Sequence, residues 1–566
     1  MNKRIYHKLC KGLVCCCLGA ALFSCSDMME TDNHRVAYDN QHQLNQANDS
    51  IYSVIGVLAQ LQQVADRVVL MGELRGDLMT VDPQVASTDL QAIDHLQFSS
   101  DNAYAQARDF YAIINNCNYI LSHMDTTLVE GQTKVLLPEY AQVKTLRAYT
   151  YWQMALIFGK VNYFTEPLTD VSSAAALHDT ETDLDALSLL LIADLEPFTN
   201  IRALDYGSID GWNSSEFFLP TTMLLGDLYL YNNRYEEAAS AYYELIRQRR
   251  LTVGSGYANT WRTATRQELN NGHLRAYVSE MITRQVFDSN LRSAHSQLRK
   301  LTYDDGLSSE FHAPALLPVK SFTDWMQQRT HFHTDNGQAI SRFFYGDLRG
   351  MAELSNGKRI GDAFGPTIAA RGAASSPLYI TKFYNNLSGS ETDLLSRRSL
   401  TSLAVLRPST VYLRYAEAIN RAGFPTTAFA VLKYGLNAVM YDTIQHRVDT
   451  LEMQRYPSYI DFRASQYDQN IGTAARGLGL GIRWDKTQYV IPADVDTTDY
   501  VERAILDEMA AESCFEGNRF FDLLRISHHR DNHPAFMARK VSRKYEDDAA
   551  TEQRLLNLAE WFAHEK

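Results

Sequence analysis

Apolar residues recur at helical spacing over long stretches of this chain. Residues 139 to 158 place Val143, Leu146, Tyr149, Met154 and Ile157 near one face of a helix, among good helix formers, and Gly159 supplies a stop. Residues 50 to 66 and 104 to 124 carry the same period. A more specific signal is a spacing that occurs twice. Gly226, Tyr229, Ala238 and Tyr242 stand at relative positions 0, 3, 12 and 16, and Ala416, Ile419, Ala428 and Leu432 repeat those offsets.

Small residues at such positions let two antiparallel helices approach, and a large apolar residue fills the space between them. Asn232-Asn233-Arg234 and Ala422-Gly423-Phe424 supply the turns. This matches the tetratricopeptide hairpin pattern. The expected fold is therefore mainly all-α: tetratricopeptide-like hairpins over about 46–250 and 400–450, with a few short strands. Between them, about 250–400 changes character. It is dense in Gly, Ser, Thr, Asn and aromatics, among them Tyr257, Trp261, Trp325, Phe332, Phe343, Phe344, Tyr345, Tyr379, Phe383 and Tyr384. Such a stretch reads as a loop-rich insertion, and long loops on a rigid scaffold are common homes for binding sites. No Pro/Ser/Gly-rich linker follows the tail near residues 26 to 45, so one domain over 46–566 is expected.

The N-terminus reads as a processing signal. Lys3, Arg4, Lys8 and Lys11 precede an uncharged apolar stretch from Gly12 to Ser24. That is short of the roughly 18 to 20 residues needed to cross a bilayer, and it suits a cleaved leader over 1–24. Leu22-Phe23-Ser24-Cys25 resembles a bacterial lipobox, in which the cysteine becomes the acylated first residue of a flexible tail, 25–45. Several acyl chains on Cys25 would anchor a water-soluble domain firmly, because each buried methylene contributes about 0.8 kcal/mol. Ser26-Asp27, with Glu30, Asp32 and Asn33, is similar to the acidic export tag of Bacteroidetes surface lipoproteins.

Of seven cysteines, Cys117 and Cys514 alone remain once the leader and the acylated residue are set aside, and both sit in apolar helical patterns. The formal charge of −13 becomes −17 when the four leader cations are removed, there being no acid in residues 1 to 24. With no Lys/Arg-rich run of five or more, nucleic acid is not expected as a partner.

The stretch 502 to 525, ERAILDEMAAESCFEGNRFFDLLR, resembles the C-terminal signature of the SusD/RagB family of outer-membrane nutrient-binding lipoproteins, through Glu512, Phe515, Glu516, Gly517, Arg519, Asp522, Leu523 and Arg525. Further matches are Leu146-Arg147-Ala148-Tyr149 running to Phe158-Gly159, and Leu413-Arg414-Tyr415-Ala416-Glu417-Ala418, with shorter echoes at Gly72 to Asp77 and at Asp347-Leu348-Arg349. Asn518 and Phe520 stand where many members have His and Trp, and a helix-like Leu555 to His564 replaces the Pro-rich ending common in the family. The resemblance implies a non-enzymatic protein of the outer membrane, facing outward. It would capture glycan, or peptide as in the RagB branch, and pass it to a SusC-type TonB-dependent transporter. No cofactor is implied.

Read from the residues alone, the signature is a structural joint. Gly517 is able to take positive φ at a helix end, and Arg519 and Asp522, one turn apart, can satisfy each other. Glu512 and Glu516 share a helical face, where Arg519 and Arg525 argue for ion pairing rather than catalysis. Gly477, Gly479 and Gly481 lack the spacing of a phosphate loop. His331 with His333, and His528, His529 and His533, lack supporting metal-ligand spacing, so no metal is expected. No nucleophile elbow is present, and a surface glycoside hydrolase using two unpatterned carboxylates is the enzymatic alternative. A sugar site needs a stacking plane and a polar clamp. Trp325 and Tyr345 are the candidates for the first, and Arg75 and Asp77 for the second.

Overall fold

The computed structural model describes residues 49–175, 177, 181–254, 280–287, 296–302, 313–334, 341–353, 359–361, 363–365, 378–383, 402–441, 447–478, 489–531, 533–545 and 547–564. Cys25, Tyr257, Trp261, Tyr384, Gly479 and Gly481 lie outside them, as do the side chains of His331, Phe332, His333, Phe343 and Phe344.

The frame is helical, as the periodicity implies. Helices α1 (Asp49–Glu73), α2 (Ala107–His123), α3 (Leu137–Phe158), α4 (Leu184–Leu195), α5 (Thr221–Tyr231) and α6 (Tyr235–Arg249) form the first part. A short α7 (Lys320–Gln328) lies in the insertion, and α8 (Pro408–Arg421), α9 (Pro425–Lys433), α10 (Thr497–Ser513) and α11 (Arg519–His528) complete the frame. Helices α2 and α3, α5 and α6, and α8 and α9 pack as hairpins, while α6 packs against α8. The two copies of the repeated spacing, far apart in sequence, are thus neighbours in space. Gly226 shows why the spacing matters. A Cβ there would lie 2.6 Å from the Tyr242 ring, so the bare backbone is what admits that ring between α5 and α6. Asn233 at φ 61° and Gly423 at φ +89° make the two turns.

Helix α1 shows that composition alone misjudges membrane character. Its Val54–Glu73 stretch is long and apolar enough to span a bilayer, with a mean hydropathy of 1.3. Yet Val54, Val57, Val64, Val69, Leu70 and Met71 are buried against the other helices, and Arg67 on its flank pairs with Asp109 at 2.5 Å.

Among the described residues the strands form two-stranded ribbons, several of which tie the insertion to the frame. Met79–Val81 pairs antiparallel with Leu316–Pro318, and Ser402–Leu406 with Thr283–Val286. The C-terminal stretch departs from the helix expected over Leu555 to His564. Helix ends at Leu555, a 3-10 turn covers Leu558–Trp561, and His564 bridges to Ser99. Trp561 explains the break. Its indole is buried and donates to the Leu555 carbonyl at 2.8 Å, which turns the chain inward.

Candidate functional site

Gly517 sits at φ +89°, and a Cβ on it would lie 2.9 Å from the Val69 Cα of α1. A Cβ on Gly72 would in turn meet the Gly517 carbonyl oxygen at 1.8 Å. Two backbones therefore touch where the echo at 72–77 meets the signature, and no side chain fits between them. Phe515 also takes positive φ, at 67°, and is fully buried. Backbone strain of this kind costs on the order of 1–3 kcal/mol and persists only where the surroundings over-determine it.

The surroundings do so with charge. Glu73, at the end of α1, accepts from the backbone N–H of Gly517 at 2.8 Å and of Asn518 at 3.1 Å, next to the start of α11. Burial drives its pKa up to about 7, against the opposing pull of those N–H groups and of Lys382. Glu516 pairs with Arg407 at 2.7 Å and with Lys382 at 2.5 Å. Glu512 meets Arg349 at 3.1 Å, Arg407 at 3.3 Å and Arg476 at 3.0 Å, cations that hold its carboxyl well below the usual range although burial opposes them. Arg349 is itself forked onto Asp347 at 2.9 Å and Glu508 at 2.5 Å.

Glu512 and Glu516 are ion-paired, but through other partners than expected. Arg519 turns to Asp77 at 2.5 Å instead of to Asp522, and Arg525 pairs with Glu417 at 2.6 Å and with Asp522 at 2.8 Å. Once buried, Arg519 and Arg525 each bind a carboxylate brought to them by another element, Arg525 keeping a local partner as well. The cations Lys382, Arg407 and Arg476 carry no local motif and escaped the sequence reading.

The polar clamp expected of Arg75 and Asp77 is corrected by the same geometry. The chain does bring this segment beside the insertion, since Val319 N–H donates to the Leu78 carbonyl at 2.9 Å. The side chains face the other way. Arg75 is 0% exposed and donates to the carbonyls of Met71 at 2.8 Å, Trp561 at 2.9 Å and Leu156 at 3.0 Å, with Phe520 3.8 Å from its guanidinium. Desolvation lowers its pKa to about 9, so it stays charged at neutral pH without a carboxylate partner. Asp77 is consumed by Arg519. Neither has a free polar atom to offer a ligand.

The aromatic candidates fare differently. Tyr345 is 65% exposed, and Trp325, on α7, is half-buried. Tyr345 lies in register with Thr330, just after α7. One face of Trp325 packs toward Phe322, whose ring contacts Phe515 of the joint at 5.9 Å. Arg329, a residue that sequence reasoning passed over, lies 4.8 Å from the Trp325 ring centroid. Its signal was present in the spacing: Arg329 stands four residues after Trp325, as the cap of the helix that carries it.

A cleft of about 870 Å³ lies elsewhere, at the far end of α11 from the joint. Phe158, Tyr111 and Phe562 contribute its apolar surface, Glu181, Asp183 and Asp185 its carboxylates, and His528 and His533 also line it. His529 leaves that group, lying 3.6 Å from Glu417 in the core. No metal-holding cluster of His, Cys, Asp and Glu occurs among the described residues. Cys117 and Cys514 are buried free thiols, with pKa values pushed up to about 12 by burial.

The SusD family model matches residues 330–560. SusD-like protein P38 of Formosa agariphila is 23% identical over 425 residues, covering 73% of this chain and 78% of that protein. SusD-like protein P25 of the same organism is 25% identical over 191 residues, and that match spans only 34% of its length. A SusD superfamily protein from Bacteroides vulgatus superposes with a TM-score of 0.58 at 15% identity, covering 91% of this chain and 93% of that one. A laminarin-binding SusD-like protein does so with a TM-score of 0.51 at 15% identity, covering 90% and 96%. The chain thus matches the SusD family model over its C-terminal part and shares the fold of SusD superfamily proteins.

Proposed function

We propose that this protein captures oligosaccharide on the face carrying Trp325 and Tyr345 and hands it to a SusC-type TonB-dependent transporter, without transforming it. It would do so as one domain, 46–566, tethered at the outer membrane through acylated Cys25 and facing the exterior. The observation that carries the reading is Tyr345, a large aromatic side chain 65% exposed, on a strand paired with the segment that follows the helix of half-buried Trp325. Exposed aromatic rings offer flat apolar faces to the C–H face of a pyranose. The fold shared with a protein described as laminarin-binding supports a glycan ligand.

The decisive experiment screens the mature protein against polysaccharides and peptide digests, with Trp325→Ala alongside. A glycan bound by wild type and lost by Trp325→Ala, with no turnover on long incubation, is the expected result. Hydrolysis of the bound glycan would instead favour the glycosidase alternative. Cys25→Ala should leave the membrane fraction, and its retention there with a processed N-terminus would refute the anchor.

A peptide ligand has one observation in its favour. The large cleft joins aromatic surface to Glu181, Asp183 and Asp185, with Lys160 as its one lysine, a lining suited to a peptide bearing Lys or Arg. Binding of a basic digest fraction that survives Trp325→Ala but not Glu181→Lys would shift the assignment to that cleft.

A further inference from the structure

Between the exposed aromatics and the buried ion pairs stands one side chain that belongs to both. Arg329 ends α7, and its guanidinium lies over the Trp325 ring, 4.8 Å from the centroid. Its Nε is 3.3 Å from Asp347 Oδ2, and its Nη2 is 3.8 Å from Glu508 Oε2. Its backbone carbonyl accepts from Gly346 N–H at 2.7 Å, immediately after Tyr345. One residue therefore touches the indole, the chain beside the exposed tyrosine and two carboxylates that are 0% and 1% exposed.

We infer that Arg329 is a positioning residue that fixes the Trp325 indole and, through its backbone, the strand end that bears Tyr345. The inference rests on the ligand face proposed above and deepens it. Three features separate this role from direct ligand contact. The Arg329 side chain is only 15% exposed, and its charge is already met by Asp347 and Glu508, so it has little to give a ligand anion. Its anchors are rigid, because Asp347 and Glu508 are both held by Arg349 as well. A planar guanidinium can lie flat on an indole while its edge bonds a carboxylate, a geometry that lysine cannot reproduce. A ring held in place before binding loses less rotameric freedom when a sugar stacks on it.

The test reads the ring itself and needs no ligand. Acrylamide quenching is measured on wild type, Arg329→Met and Arg329→Lys, each corrected by the same protein carrying Trp325→Phe, so that the difference isolates Trp325 emission. Release of the ring should raise its quenching constant about threefold in Arg329→Met and roughly twofold in Arg329→Lys, which keeps the charge but not the plane. If Arg329→Met fails to fold, Arg329→Lys decides alone, because the carboxylates keep a cation. Unchanged Trp325 quenching in the folded variants overturns the assignment. Failure of the ligand face is a separate result: glycan binding retained in Trp325→Ala refutes that reading, whereas loss in Trp325→Ala with none in Arg329→Lys or Arg329→Met refutes only the positioning role.

Discussion

The joint at residues 512 to 525 and the face at Trp325 and Tyr345 are built from the same materials, arginine, carboxylate and aromatic ring, and they end in opposite states. At the joint every arginine is enclosed: Arg407 is 1% exposed, Arg519 4% and Arg525 6%. Arg519 is met by Asp77, just beyond α1, Arg525 by Glu417 of α8 and by Asp522, and Arg407 by Glu512 and Glu516 of the joint itself. At the face the same residue types meet solvent on one side, and Tyr345 stays 65% exposed. Residue type does not distinguish a proposed ligand face from a structural knot. What distinguishes them is how many elements converge on the side chain, because each added element removes water and supplies a competing partner.

This contrast breaks first at Gly517. Gly517→Val puts a β-branched side chain at φ +89° with its Cβ 2.9 Å from the Val69 backbone, and should cost about 4 kcal/mol or more, or abolish folding. A melting temperature within a degree of wild type would remove the close-approach argument. Next in size is Arg525→Met, which strips the fully buried Glu417 of its main cation. Breaking a buried pair costs roughly 3–5 kcal/mol, so denaturant midpoints should fall sharply, and a neutral result would show that the joint is no more tightly determined than the face.

Glu73 supplies a pH signature at the joint. Its folded pKa of about 7 lies above the ordinary 4.5, so the folded state holds this proton more tightly than the unfolded chain does. Stability from this group is therefore lost as pH rises from about 4.5, and the loss is complete above about 7, amounting to roughly 3 kcal/mol at most. Glu73→Gln keeps an acceptor for the Gly517 N–H and removes the titration. Relative to wild type its stability should gain between pH 5 and 7.5, and parallel pH profiles would count against the burial argument. The smallest stability effects belong to the face. Tyr345→Ala should shift stability by no more than about 0.5 kcal/mol, while Trp325→Ala should weaken glycan binding by about 1–3 kcal/mol with little change in melting temperature. A large stability loss in Trp325→Ala would move that ring from face to core.

The helical frame was legible because it rests on short-range regularities. A period of 3.6 and the paired offsets around Gly226 and Ala416 depend on neighbours along the chain, and a glycine between two helices leaves the same gap wherever the pair occurs. The need for positive φ at Gly517 was visible for a similar reason, since it follows from a helix ending at that point. By contrast, the roles of Arg75 and Asp77 were misjudged. A charged pair after an amphipathic helix looks like a loop at a surface, and nothing local reveals that Trp561, nearly five hundred residues away, returns to offer Arg75 its carbonyl. The same holds for the break after Leu555, where helical spacing yields to a buried indole.

The sequence by itself determined the helix pairs, the turns between them, the family signature and the aromatic character of the insertion, because each is written in residues close together in the chain. Only the tertiary structure decided which carboxylate meets which arginine, that Arg75 is sealed inside, and that Arg329 lies between the Trp325 ring and two buried carboxylates. Those outcomes depend on long-range approach. A buried charge takes whatever partner the fold brings within about 3 Å, and the desolvation it has already undergone makes that choice binding.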